Sequence, residues 1–264
     1  MTIIRSLAYQ ALFLPWTLFV AIAYLPLLAF GSRRVTQRCA AFWLKGALVL
    51  QRAVLGLSFV VRGRQNLPAG AAVIAAKHQS AWDTLVFHTI LDDPAYILKK
   101  ELLLLPFIGW YLQKTGQIPI DRKAGIRALK LMVDESRRAI AEGRQIIIFP
   151  EGHRQPPGVA GEYHSGVAML YSSLAVPLVP VALNSGLFWR RNALVRRHGV
   201  ITLEFLPPMP VGLDRKAFMS ELQRRIEEAT RALESEALHR FPHLAEGIGG
   251  TAGVTNVVDN SVEG

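Results

Sequence analysis

The chain has 264 residues, 51% of them hydrophobic and 19% charged, with a mean hydropathy of +0.25. This composition excludes a disordered protein and leaves ample chain for one domain with its own core plus an appendage. A single cysteine, Cys39, excludes a disulfide framework and any multi-cysteine metal site. The net charge of +10 is placed unevenly: residues 1–82 carry nine Lys or Arg and no carboxylate, and the first acid is Asp83. Beyond Asp83 basic and acidic residues nearly cancel. The excess therefore sits on the most apolar part of the chain, where it reads as attraction to anionic lipid and not to nucleic acid.

Residues 6–32 form a run of 27 positions without a charge, among them Leu12, Phe13, Trp16, Phe19 and Ile22. As a helix rising about 1.5 Å per residue it reaches roughly 40 Å, longer than the roughly 30 Å bilayer core. It is too long for a signal-peptide core, and Pro15 and Pro26 are kinks that a lipid-embedded helix tolerates. A second apolar stretch, residues 39–61, carries Lys45 and Arg52. It is expected at the interface, its basic side chains reaching for phosphates. If the first segment spans, Arg33, Arg34 and Arg38 outnumber Arg5 and place the remainder in the cytoplasm; a hairpin dipping into one leaflet is the alternative. Residues 1–61 are thus read as membrane-anchoring helices, and a cell-membrane location with the catalytic domain on the cytoplasmic face is expected.

The stretch 63–70, GRQNLPAG, is a loop by its Gly, Asn and Pro. Beyond it, short apolar runs at 71–76, 95–98, 117–120, 145–149, 178–183 and 200–205 read as strands. Ile126, Leu129, Val133 and Ile140 mark one face of an amphipathic helix between two of them, and Phe218, Leu222, Ile226, Ala229 and Leu233 mark a closing helix. Alternation of this kind predicts a layered α/β domain over residues 62–244 with a mixed, mostly parallel sheet. Residues 245–264, rich in Gly, Asn and Thr and without periodicity, are expected to be a disordered tail.

Three strand ends carry chemistry. The first apolar run leads into Lys77-His78-Gln79-Ser80-Ala81-Trp82-Asp83, with a helix predicted from about Ser80. A histidine leaving a strand end sits where α/β sheets hold ligands. Asp83, five residues on, is within reach of Nδ1, which leaves Nε2 free as a base. The second is Phe149-Pro150-Glu151-Gly152-His153-Arg154, where Pro and Gly fix a turn and Arg supplies a phosphate-sized fork. The third, Gly116-Gln117-Ile118-Pro119-Ile120-Asp121-Arg122, is a strand ending in Asp-Arg. Each taken singly is also readable as a capped turn or a surface ion pair.

The order H-x-x-x-x-D, G-x-I-x-I-D-R, F-P-E-G-x-R and V-P-L-V-P-V-A resembles the four blocks of the glycerolipid acyltransferases, most closely the 1-acyl-sn-glycerol-3-phosphate (lysophosphatidate) acyltransferases. The likeness runs from about Arg62 to Phe205, and Lys99-Lys100-Glu101-Leu102 with Pro106 and Gly109 matches the stretch the family carries between its first two blocks. The resemblance implies His78 and Asp83 as the catalytic pair. It implies Gly116, Arg122, Glu151, Gly152 and Arg154 as residues that hold the glycerol-phosphate acceptor. Val176, Pro177 and Pro180 fall in the fourth block, tied to acyl binding or packing. His153 stands where the family usually has Thr, and His164-Ser165 where a Lys often precedes the glycine that here is Gly166.

The mechanism implied is direct transfer from acyl-CoA or acyl-carrier protein to the free hydroxyl of lysophosphatidate, with no metal or redox cofactor. The expected partners are membrane lipids, the lysolipid acceptor and the thioester donor. Alternative acceptors within the family are lyso-amino-acid lipids, other lysophospholipids and glycerol-3-phosphate. A serine hydrolase built on Ser80 lacks the G-x-S-x-G elbow. A metal hydrolase using His78, Asp83, His153 and His164 lacks a ligand spacing such as H-E-x-x-H. A non-enzymatic membrane adaptor leaves the His/Asp and Arg pairs without a use.

Overall fold

The computed structural model describes residues 2–121 and 124–245. Seven strands form one sheet: β1 Leu57–Arg62, β2 Ala72–Ala76, β3 Ala95–Lys99, β4 Ile118–Ile120, β5 Gln145–Ile148, β6 Leu178–Leu183 and β7 Gly199–Phe205, in the order β1-β7-β6-β2-β5-β3-β4. Neighbours run parallel except β6 and β7, which pair antiparallel from Val181↔Phe205 to Leu183↔Leu203. Every residue of β2 is buried. It lies between β5 and β6, with Ile74 and Ala76 turned to one face and Val73 and Ala75 to the other. A strand covered on both sides must be apolar throughout, which is why AVIAA shows no alternation.

Helices cover both faces. On one, α4 (Asp83–Ile90) contributes Val86 and Phe87, and α8 (Ser185–Phe188) contributes Leu187 and Phe188. On the other, α6 (Gly125–Ala141) contributes Met132, Val133 and Ala139. There α7 (Gly166–Ser173) adds Val167 and Leu170, and α9 (Arg215–Arg240) adds Phe218, Leu222 and Ile226. The six expected strands are present within a residue or two at each end, as is the mixed, mostly parallel sheet. Two readings change. The buried face of α6 is Ala128, Met132, Val133, Ser136 and Ala139, whereas Ile126, in its first turn, is 72% exposed. The seventh strand, β1, hid inside the apolar stretch 39–61, because a strand following a helix without polar punctuation leaves no break in hydropathy.

That strand also moves the expected boundary at residue 62. Pairing of Leu57–Arg62 with β7 makes residues before 62 part of the sheet. The N-terminal helices α1 (Thr2–Ala23), α2 (Leu25–Phe30) and α3 (Arg33–Leu50) precede it, joined by a π-helical turn, Gln51–Leu55. Trp16 Nε1 donates to the Trp43 carbonyl at 3.0 Å and Trp43 Nε1 to Thr17 Oγ1 at 3.1 Å, clasping α1 to α3. The near end of α1 is fastened to the α/β body: Arg196 N–H donates to Ser6 Oγ at 2.9 Å, and Tyr9, 1% exposed, packs edge-on against Trp189. Its far end is fastened too, since the Tyr111 hydroxyl of α5 (Ile108–Lys114) donates to the Ala21 carbonyl at 2.8 Å. The expected tail from 245 lies, after Ala245, outside the described residues.

Candidate active site

The carboxyl ends of β2 and β5 lie side by side and deliver His78 and the turn at 149–154 to one edge of the sheet. His78 Nδ1 lies 3.1 Å from Asp83 Oδ2. The Asp83 carboxylate is fully buried and heavily solvated by protein: Gln79 N–H and Ser80 N–H donate to Oδ2 at 2.6 and 2.8 Å, while the Ser80 and Ser185 hydroxyls donate to Oδ1. Standing in the first turn of α4, it also meets the positive end of that helix. Such an acceptor-only group holds the imidazole proton on Nδ1 and leaves Nε2 with a lone pair; no described residue engages Nε2. Phe149 stacks on the His78 ring, centroids 4.2 Å apart, and closes one of its faces. Ser80, the rival nucleophile, is fully buried with its hydroxyl committed to Asp83 and to Trp82 N–H.

Under this pair lies a network the sequence reading missed. Lys77, 1% exposed, donates from Nζ to Glu151 Oε1 at 2.6 Å, to both Glu227 oxygens at 2.8 and 3.0 Å and to the Val159 carbonyl at 2.9 Å. Glu151 in turn accepts the His78 backbone N–H at 3.0 Å and the Gly161 N–H. The Tyr163 hydroxyl donates to Glu227, and Glu234 accepts from the Gln79 side chain at 2.6 Å and from Gly158 N–H. One ammonium thus bonds two buried carboxylates, Glu151 and Glu227, and acts through its charge on a third, Glu234, also of α9. Burial pushes the Glu151 and Glu234 carboxyls above their ordinary range, against the pull of the Lys77 charge. A signal was present in the sequence: a lysine directly follows an all-apolar strand, and Glu227 and Glu234 fall on the apolar stripe of the closing helix.

The expected acceptor residues divide accordingly. Gly152, with φ +68°, makes the left-handed turn after Glu151 and donates its N–H to the Phe149 carbonyl at 2.9 Å. That turn points Glu151 inward, where it is 0% exposed, and brings Arg154 to the half-exposed rim with its guanidinium bonded to no described residue. Glu151 is therefore part of the floor of the site, its carboxylate committed to Lys77 and to the His78 and Gly161 N–H groups. Gly116 does not join the site at all. It precedes β4 at the opposite end of the parallel strands from His78, also with a positive φ (+62°). There its carbonyl accepts from Arg144, a buried cation that also reaches Asp93, Pro94 and Thr115 and ties the strand starts together. Arg122 lies outside the described residues. His153 and His164 are exposed; His153 meets the Gln155 side chain.

Removing Lys77 tests the network. Lys77→Met strands the Glu151 and Glu227 carboxylates and should cost about 3–5 kcal/mol near pH 8. Without the ammonium the carboxyls of Glu151 and Glu234, already raised by burial, are pushed further above their unfolded values. Stability is then full below the unfolded carboxylate pKa and lost as pH climbs through the folded one. The deficit in Tm against wild type, followed in detergent, should shrink markedly toward pH 5.

The sequence and the fold both have relatives. A family model described as Acyltransferase matches residues 58–184, a span holding His78, Asp83 and the 149–154 turn. The chain is 33% identical over 204 residues to a 1-acyl-sn-glycerol-3-phosphate acyltransferase of Pseudomonas aeruginosa, covering 76% of this chain and 78% of the relative. It is 28% identical over 217 residues to the human 1-acyl-sn-glycerol-3-phosphate acyltransferase beta, covering 81% of this chain and 76% of that one. Its fold is similar to the crystal structure of the 1-acyl-sn-glycerophosphate (LPA) acyltransferase PlsC from Thermotoga maritima, with a TM-score of 0.72 at 21% identity over 89% of this chain and all of the other. The chain belongs to the 1-acyl-sn-glycerol-3-phosphate acyltransferase family.

Proposed function

We propose that this enzyme moves a fatty acyl group from an acyl thioester, carried by coenzyme A or an acyl-carrier protein, to the free sn-2 hydroxyl of lysophosphatidate, giving phosphatidate. The observation that carries the reading is the His78–Asp83 pair with Nε2 unengaged, next to an Arg154 fork free to take a phosphate. His78 Nε2 accepts the hydroxyl proton as that oxygen attacks the thioester carbonyl. Asp83 holds the tautomer and stabilises the imidazolium, and the proton then passes to the departing thiolate. Arg154 clamps the acceptor phosphate, so its contribution is positioning. Glu151, through the His78 N–H, and Lys77 below it hold the base in place. The donor is a substrate, and every step runs on side chains and backbone alone.

The same proposal includes the membrane. Leu14, Leu18, Phe19 and Ile22 of α1, Phe30 of α2, and Leu104, Ile108 and Trp110 in and beside α5 are large apolar side chains left exposed. Because α1 is bonded to the α/β body at both ends, a spanning orientation would tear out Tyr9 and the Ala21 contact. An in-plane helix pair, half sunk in one leaflet, keeps both. Of the nine basic residues ahead of Asp83, Lys77 is buried and Arg33 and Arg62 are paired with carboxylates, whereas the exposed Arg5, Arg34, Arg38, Lys45, Arg52 and Arg64 suit the anionic cytoplasmic leaflet.

Purified protein incubated with labelled acyl-CoA and a panel of lysolipids should yield phosphatidate from lysophosphatidate; a product from another lysolipid alone would reassign the acceptor. His78→Ala should lower kcat about 10²–10⁴-fold with the fold intact by circular dichroism, and Asp83→Asn should do similar damage through the wrong tautomer. Arg154→Lys should raise the KM for lysophosphatidate well beyond that for the thioester, since a point charge replaces a fork. Full-length protein should stay on anionic vesicles in about 1 M salt. Leu104→Ala with Trp110→Ala should weaken that partition about tenfold or more, an effect that a spanning α1 would not show.

A further inference from the structure

The loop at 189–198, which joins α8 to β7, reads Trp-Arg-Arg-Asn-Ala-Leu-Val-Arg-Arg-His, and no acid occurs between Glu162 and Glu204. Its arginines are not equivalent. Arg196 is structural: its guanidinium lies 4.2 Å from the Trp189 ring and 4.9 Å from the Tyr9 ring and donates to Gln10. Arg197 donates to the His243 and Leu244 carbonyls. Arg191, by contrast, is exposed and donates from Nη1 to the Arg154 carbonyl at 3.3 Å. That carbonyl belongs to the peptide unit whose other end, the Gln155 N–H, donates to the His78 carbonyl at 2.8 Å. A single peptide group therefore separates a surface guanidinium from the backbone of the base.

We propose that Arg191, with Arg190 beside it, is the docking point for the phosphates of the acyl donor's coenzyme A. This rests on the acyltransferase reading of the His78 site. The Arg154 fork serves the acceptor; the thioester must reach the same histidine while its carrier stays outside, and Arg191 marks the rim where the carrier passes. Positive charge is gathered there without acids interleaved in sequence: burial and then the Arg197 charge disfavour the charged form of Arg190, and burial, His243 and Arg5 act in the same direction on His198. Like charges held together cost stability unless a polyanion neutralises them. Guanidinium forks match phosphate oxygens in geometry as well as charge. The cluster is compact, confined to one ten-residue loop, which suits the adjoining phosphates of one nucleotide better than the broad acidic surface of a carrier protein.

The test compares donors with and without phosphates, using the full chain in detergent. Arg191→Glu should raise the KM for an acyl-CoA about tenfold or more and leave kcat within about twofold, while the KM for the matching acyl-N-acetylcysteamine thioester moves less than about twofold. Arg191→Lys should restore part of the acyl-CoA KM, and added salt should erode the difference between donors. Equal shifts with both donors, a shift in the lysophosphatidate KM instead, or a shift confined to acyl-carrier protein would each overturn the proposal. Calorimetry with adenosine 3′,5′-bisphosphate needs no turnover, and binding should be seen with wild type and lost in Arg191→Glu. If wild type makes no phosphatidate yet binds the nucleotide through Arg191, the acyltransferase reading fails and the nucleotide site stands. Turnover with nucleotide binding indifferent to Arg191 has the opposite meaning.

Discussion

The buried Lys77 ammonium is the constraint on which the catalytic edge depends. It directly follows β2, a strand buried along its whole length, and is itself 1% exposed, so its charge has no route to solvent and must be met by protein. Glu151 meets it from the turn after β5 and Glu227 from the middle of α9. Three segments far apart in sequence are thereby fixed to one atom. A charge in such a place is costly by itself and strongly directional once paired, so misplacing any partner leaves an unpaired ion inside the fold. Glu151 carries the constraint to the chemistry, because its second oxygen holds the His78 N–H. The imidazole is thus placed from two sides: its main chain by Glu151 and its ring by Asp83.

Much of this was legible in the sequence, and the gaps have physical causes. Strand positions followed from apolar runs bounded by turns, and His78 with Asp83 followed from spacing and resemblance. The floor of the site was not legible in that way. Lys77, Glu227 and Glu234 are charged residues at buried positions, and periodicity arguments treat a charge as a solvated face. Only the partner makes burial tolerable, and the partners lie about 75 to 150 residues apart. Glu151 and Gly116 sit inside family motifs, yet Glu151 is buried beneath His78 and Gly116 lies at the opposite end of the strands. A motif fixes which residue occurs, whereas the local turn decides which way it faces, and Gly152 and Gly116 make turns with opposite consequences for the cleft.

The N-terminal segment shows the limit of reading hydropathy alone. Residues 6–32 satisfy length and apolarity for a span, and α1 is the helix among the described residues that meets both criteria. What hydropathy does not register is Tyr9 in the core and hydrogen bonds to the body at each end. These few contacts convert an apolar helix into one wall of the domain, and they put the apolar outer surface and the catalytic edge into a single rigid frame. On the proposed in-plane docking, depth in the lipid fixes the height of His78 above it.

The Phe149 ring against His78 has a further consequence. Beside a neutral imidazole it is ordinary packing, but the negative face of an aromatic ring attracts a cation by about 0.5–1 kcal/mol at exposed sites and more where water is excluded. In the proposed mechanism the His78 ring gains a positive charge when it takes the hydroxyl proton. The attraction therefore grows along the reaction coordinate, and an interaction that strengthens toward the transition state lowers the barrier, whereas uniform binding does not. Under the proposed mechanism, a residue that folding alone would use as filler becomes a polarisable counter-surface for the charge that His78 acquires.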